Sequence, residues 1–211
     1  MDLLDRFRLF DTSLVSDALD AHGHDGVMQG LSPAHPDFVA VGRASPMRFE
    51  RVEGGVQEAA TNFPYAMLER LAPGEVFVID GVDDCSAWGG NASKLAAAAG
   101  LAGVVVDGGY RDVPDLREEG LPVFGATPTP QTGQRRVTVE SVGEAVEIRG
   151  VTVEPGDVVV ADATGVVVVP ADEAEAVADT AEATLGEELL LEAKIDAGAS
   201  VSDLRDDAHE F

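Results

Sequence analysis

The sequence predicts an α/β fold of the swivelling β/β/α type with helices flanking it at both ends, and three observations point there. Val-rich runs recur at Glu75–Asp80, at Val104-Val105-Val106, at 157–161 and at Val166–Val169. Unbroken β-branched runs suit strands covered on both faces. Helix-forming segments lie between and beyond these runs, the longest at 172–197. No Gly-x-Gly-x-x-Gly follows any of the strands, which argues against a doubly wound dinucleotide fold and a nicotinamide cofactor.

In chain order, residues 2–10 read as a short amphipathic helix, and Ser13 as the cap of a second helix running to about His22. Residues 38–43 and 47–52 read as two strands. Pro64 sits early in a helix that the Pro73-Gly74 turn ends. Glu75–Asp80 is a strand closed by Gly81, and a loop through Trp88-Gly89-Gly90 leads to a helix. Asn91 is its expected N-cap, residues 92–99 are rich in helix formers, and Gly100 is its stop. After Val104-Val105-Val106, Gly108 and Gly109 allow a tight turn. Residues 137–139 and 145–148 alternate like exposed strands of a hairpin. Residues 157–161 and Val166–Val169 add two more strands. A chain of 211 residues holds one sizeable core, so residues 1–199 are expected as a single domain and 200–211 as a disordered acidic tail.

Chemistry concentrates between Asp80 and Pro130. Arg111 and Asp112 follow a buried strand directly, and the C-terminal edge of such strands is where ligands sit in open α/β sheets. Arg111 offers a planar fork of donors to a carboxylate, and Asp112 offers oxygen to a hard cation. The glycines before Asn91 leave backbone N–H groups of a helix N-terminus open to an anion. Strand, Gly-rich loop, helix and strand make one βαβ unit, so both features belong to one rim. Each alone has a plainer reading: the glycines as turn chemistry, the pair as a solvated surface ion pair. Their conjunction indicates metal-assisted chemistry on a small oxo-acid.

Trp88-Gly89-Gly90-Asn91-Ala92, Ala96-Ala97, Gly100, Gly103 to Gly108, Arg111-Asp112 and Leu121-Pro122-Val123-Phe124 resemble the RraA-like family. Thr12 to Leu19 extends the resemblance toward the N-terminus, so most of the chain is covered. The family includes 4-hydroxy-4-methyl-2-oxoglutarate aldolases, often also oxaloacetate decarboxylases, and ribonuclease E activity regulators; some members carry a demethylmenaquinone methyltransferase label. The resemblance implies an RraA-like swivelling β/β/α domain. It implies Arg111 and Asp112 as catalytic residues, Asp112 as the ligand of a divalent cation (Mg²⁺ or Mn²⁺), and Gly89, Gly90, Asn91, Ala92 and Arg111 as the substrate-binding set. The backbone amides at Asn91 and Ala92 would hold the pyruvate carboxylate. One position departs: Gly90 stands where the aldolases carry an acid that helps hold the metal's water shell. That departure bears on metal binding and retro-aldol cleavage. Decarboxylation asks less of the site, since no base is needed to deprotonate a hydroxyl. Asp17 is a candidate helper from a neighbouring subunit, or simply a polar residue on a helix face. The regulator-type members tend to lose the aspartate matching Asp112, which this chain keeps.

Composition adds exclusions. The formal charge is −25, and only Lys94 and Lys194 are lysines; a small soluble domain ordinarily carries a magnitude of roughly 2–8. Such a surface disfavours nucleic acid and anionic membranes, and it fits adaptation to high salt, hence a halophilic source. Lone Cys85 excludes an internal disulfide and suits a reducing cytoplasm; without a His partner it reads as a quiet thiol. His22 and His24 do not share a helix face, so they make a poor metal pair. No apolar leader or spanning run is evident. Family resemblance implies a homotrimer or hexamer, with the long C-terminal helix as a packing surface and Glu188 and Glu192 on one of its faces. Two functions follow. One is a metal-dependent lyase of pyruvyl-type 2-oxo acids. The other is a non-catalytic regulator that binds a protein such as a ribonuclease or helicase.

Overall fold

The structure, a computed structural model, describes residues 1–52, 72–202 and 204. The helix expected from Pro64 lies outside these residues. The elements of the described residues used below are the helices α1 (Leu3–Phe7), α2 (Thr12–Ala21), α3 (Gly90–Ala98), α4 (Val113–Glu119) and α5 (Ala174–Asp196), with the strands β1 (Ser32–Pro33), β2 (Ala40–Arg51), β3 (Glu75–Asp80), β4 (Ser86–Trp88), β5 (Gly103–Tyr110), β6 (Val123–Pro128), β7 (Val137–Val142), β8 (Val146–Ile148), β9 (Val151–Val153), β10 (Val158–Ala161) and β11 (Val166–Val169).

One mixed sheet runs β1-β6-β5-β3-β2-β10-β11, with β4 added to β5 and β7 added to β2. Its centre, β6-β5-β3-β2, is parallel, and its flanks are antiparallel. The order along the parallel centre never reverses, unlike a doubly wound sheet. Right-handed crossovers therefore bring the connecting helices α3 and α4 to the same face.

The Val-rich strands are covered on both sides, as their composition demands. In β10 and β11 the side chains alternate between two cores. Val159, Ala161, Val166 and Val168 join the main core with β3, β5 and β6. Val158, Val160, Val167 and Val169 join a second core with Phe7, Leu14, Val15 and Leu19 of α1 and α2 and Val177 of α5. The twofold period of a strand places successive residues on opposite faces. Arg6 strengthens the helical layer by binding Glu175, Asp179 and Glu182 of α5 at 3.0, 2.5 and 2.8 Å.

Asp162, in the turn between β10 and β11, accepts hydrogen bonds from the Thr12 N–H, the Thr12 hydroxyl and the Thr164 N–H, each at 2.8 Å. Burial pushes its carboxyl up, yet these donors hold it below the ordinary carboxylate range overall. A depressed folded pKa contributes stability above the unfolded pKa and loses it as pH falls through the folded one. Asp162→Asn is therefore expected to cost about 1–2 kcal/mol at neutral pH and to flatten part of the acid limb, which urea melts at pH 7 and pH 3 would read.

Several sequence expectations are corrected. The stretches expected at 38–43 and 47–52 merge into one strand, β2 (Ala40–Arg51), despite Pro46. Pro46 falls between the stretch paired with β10, which ends at Arg43, and the stretch paired with β7, which begins at Met47. There its missing N–H costs no ladder bond. Residues 137–139 and 145–148 do not form a hairpin: β7 pairs with β2, and β8 pairs with β9. The second helix is capped by Asp11, which accepts from Leu14 N–H at 2.8 Å, and Ser13 lies inside it. Val201, Ser202 and Leu204 are helical, while residues 203 and 205–211 of the acidic tail lie outside the described set. No described helix is long and apolar enough to cross a membrane.

Candidate active site

Gly108 and Gly109 are strand residues, not a turn. β5 continues through them to Tyr110, alongside β4. The loop leading into β4 crosses so close that a Cβ on Gly108 would meet Val82 O at 2.7 Å, and one on Gly109 would meet Cys85 O at 2.5 Å. The glycines admit backbone, and in doing so carry the strand two residues further toward the rim. Arg111 leaves the strand held by its N–H donating to Trp88 O at 3.0 Å.

Asp112 takes the left-handed conformation, φ 58° and ψ 41°, a region that Asp tolerates better than most residues and that clusters at functional sites. It is the N-cap of α4, but its carboxylate does not cap that helix. Pro114 in the first turn has no N–H to be capped, and the N–H groups of Asp115 and Leu116 donate to the Asp112 carbonyl at 2.9 and 3.1 Å. The side chain is thereby released to reach across to α3, where Oδ2 accepts from Gly90 N–H at 3.1 Å. The same oxygen lies 3.4 Å from Arg111 Nε. Arg111 and Asp112 point together, each side chain 38 % exposed.

Helix α3 starts earlier than expected. Gly89 is its N-cap and Asn91 its second residue, so the capping role assigned to Asn91 is corrected. A Cβ on Gly89 would lie 2.9 Å from Asp112 Oδ2 and 3.1 Å from Arg111 Cγ. The space where a capping side chain would sit is filled by the Arg111-Asp112 pair. Gly90 N–H is taken by Asp112, whereas the N–H groups of Asn91 and Ala92 meet no acceptor among the described residues. Asn91 is exposed and Ala92 is buried at 6 % exposure. The start of α3 is fixed by the buried bond from Trp88 Nε1 to Ser93 Oγ at 2.6 Å and by Ser93 N–H donating to Gly89 O at 3.0 Å. Ser93→Ala strands the Trp88 indole N–H in the core and is expected to cost about 1–3 kcal/mol in chemical denaturation.

The other candidates lie apart. Asp17 is exposed on α2, which packs against β10, β11 and α5; the structure brings it to a pocket of about 270 Å³ with Ser13, Ser16 and Thr164, not to Arg111. Glu188 and Glu192 are exposed on the distal half of α5. Cys85 is fully buried, and burial raises its thiol pKa, which suits packing and not nucleophilic attack. Asp115 is a residue that sequence reasoning missed. Its carboxylate lies beside Gly90, and the only sequence signal was its place three residues after Asp112 at the start of a helix.

The donor set fits a hard divalent cation. Asp112 Oδ1 and the Asp115 carboxylate receive no hydrogen bond from described residues, and half-exposed oxygens leave room for waters in the remaining positions. No group of three or more His, Cys, Asp or Glu among the described residues is arranged to hold a metal ion, so most ligands there would be water.

By fold this is a β/β/α protein with an arginine–carboxylate pair at the C-terminal rim of its parallel strands. The RraA-like family model, Aldolase/RraA, matches residues 12–168, and the chain belongs to that family. It is 29% identical to Protein DlpA of Legionella pneumophila over 98% of this chain and 34% of that protein, so it spans about a third of that relative's length. It is 32% identical to the "Putative 4-hydroxy-4-methyl-2-oxoglutarate aldolase" of Halalkalibacterium halodurans over 83% of this chain and 80% of the relative. The crystal structure of Streptomyces coelicolor RraAS2, described as an unusual member of the RNase ES inhibitor RraA protein family, superposes with a TM-score of 0.81 at 27% identity, covering 91% of this chain and 97% of that one.

Proposed function

We propose that the protein is a divalent-cation-dependent carbon–carbon lyase of pyruvyl-type 2-oxo acids, decarboxylating oxaloacetate, cleaving 4-hydroxy-4-methyl-2-oxoglutarate, or both. The observation that carries the reading is that Arg111 and Asp112 lie together against Gly89 and Gly90, at the start of the helix whose next two N–H groups, of Asn91 and Ala92, are open. The N–H groups of Asn91 and Ala92 bind the substrate's 1-carboxylate, aided by the helix dipole. Arg111 directs its uncommitted terminal nitrogens at the 2-oxo oxygen, where negative charge gathers as the C–C bond breaks and a pyruvate enolate forms. Asp112 holds the Mg²⁺ or Mn²⁺, which supplies Lewis-acid polarisation of the oxo group when bound. Gly89 keeps this rim clear of side chain.

Relatives that carry an aldolase name at 32% identity support a lyase. The likeness to RraAS2 keeps a second reading in play, a non-catalytic protein that binds a ribonuclease or helicase. The distal half of α5 leaves Leu189, Leu190, Leu191 and Ile195 at 40–58 % exposure, which fits a homotrimer or hexamer in which Asp17 acts from a neighbour. The test is oxaloacetate decarboxylation with Mn²⁺ or Mg²⁺ in molar KCl. Metal-dependent turnover lost in Asp112→Asn is expected. Absence of metal-dependent turnover on either substrate would overturn the lyase and leave the regulator.

A further inference from the structure

Helix α3 opens with three N–H groups that have no acceptor within the helix, those of Gly90, Asn91 and Ala92. Ser93 N–H is the first to find one, at Gly89 O, 3.0 Å away. The N–H groups of Asn91 and Ala92 stay open among the described residues, but Gly90 N–H donates to Asp112 Oδ2 at 3.1 Å. That oxygen also lies 3.4 Å from Arg111 Nε. One carboxylate oxygen of the chain thus meets both kinds of donor that the proposed function assigns to the substrate, a helix-start amide and the guanidinium. Asp112 reaches them from a left-handed backbone, φ 58° and ψ 41°, and leaves its own helix α4 without a side-chain cap. The plain reading makes Asp112 a substitute cap for α3, whose N-cap, Gly89, has no side chain to offer. A substitute cap explains the bond to Gly90, and it predicts only lost stability when the carboxylate is removed.

We propose that Asp112 is an internal competitor at this rim: its carboxylate holds the first amide of α3 in place of the substrate's carboxylate, and yields that amide when it takes the cation. This rests on the lyase reading of the site and adds a fixed order to it, divalent cation first and 2-oxo acid second. A 2-oxo acid arriving while Asp112 sits on Gly90 meets two of the three amides and a like charge beside them. Once Asp112 turns to the cation, all three N–H groups of the helix start face the substrate and the negative charge is balanced. With its side chain 38 % exposed, Asp112 turns without repacking the core.

The experiment is pyruvate binding to the full chain in molar KCl without metal, followed by the amide shifts of Gly90, Asn91 and Ala92 in ¹⁵N NMR spectra. Two variants separate occupancy from charge. Asp112→Asn removes the charge but keeps an oxygen able to accept from Gly90 N–H. Asp112→Gly removes both, and glycine adopts the left-handed backbone without strain. Pyruvate is expected to bind Asp112→Gly about 10-fold more tightly than Asp112→Asn, the worth of one hydrogen bond to a carboxylate. Wild type is expected to bind it most weakly until Mg²⁺ is added. Equal affinity in the two variants, with pyruvate still shifting these amides in wild type plus Mg²⁺, would dismiss the competitor and leave the lyase site standing. No shift at these amides in any variant, with or without Mg²⁺, would dismiss the site itself and the competitor with it. Should Asp112→Gly fail to fold by circular dichroism, the wild type decides. Mg²⁺ alone is expected to speed hydrogen exchange at Gly90 N–H several-fold, and unchanged exchange would overturn the proposal.

Discussion

Arg111→Ala is expected to lower kcat/KM for metal-dependent oxaloacetate decarboxylation by about 10²–10³-fold, or ~2.7–4 kcal/mol, the range found when one donor to a developing oxyanion is removed. The size follows from how Arg111 is used. Arg6, Arg48, Arg51 and Arg149 each pair with a carboxylate from a distant part of the chain. Arg111 has only its neighbour Asp112, 3.4 Å from Nε, and its terminal nitrogens donate to no described residue. Arg111→Lys is not expected to rescue the reaction, since a point charge cannot reproduce the planar fork. Because the side chain is 38 % exposed and its ion pair is local, the melting temperature of Arg111→Ala should move little. A loss of less than 5-fold in steady-state assays would remove Arg111 from the chemistry.

The second large effect concerns salt. Thirty-nine acidic residues face fourteen basic ones, and the arginines that pair are already spent on a minority of the acids; Arg6 alone holds three. The remaining carboxylates repel one another, and that repulsion weakens as the Debye length falls from about 10 Å at 0.1 M to about 3 Å at 1 M salt. The melting temperature is expected to rise by on the order of 10 °C or more between 0.1 and 3 M KCl, which for a domain of this size corresponds to a few kcal/mol. Sucrose, which strengthens burial without screening charge, should produce a smaller rise. A flat curve between 0.1 and 3 M KCl would sink the reading of the acidic surface as an adaptation to high salt.

Legibility in the sequence followed the range of the forces involved. Buried strands showed themselves because a strand covered on both faces must be apolar throughout, and β3, β5, β10 and β11 are Val-rich for that reason. Arg111 and Asp112 stood out because they follow such a strand without a gap. The helix start was misjudged at Asn91 because capping preference weighs a residue's own side chain. At Gly89 the cap space is filled by side chains from residues 111 and 112, more than twenty positions away. Gly108 and Gly109 looked like a turn for the same reason: glycine marks either a bend or a close approach, and only the passing loop shows which.

Residue order alone therefore decided the fold class, the two-sided burial of the central strands and the adjacency of a guanidinium and a carboxylate at a strand end. These depend on local composition and covalent neighbourhood. Folding in three dimensions decided which amides those side chains face, that Asp115 lies beside Gly90, and that Asp17 lines a pocket away from Arg111. Such facts depend on distances between segments far apart in the chain, and periodicity carries no record of them.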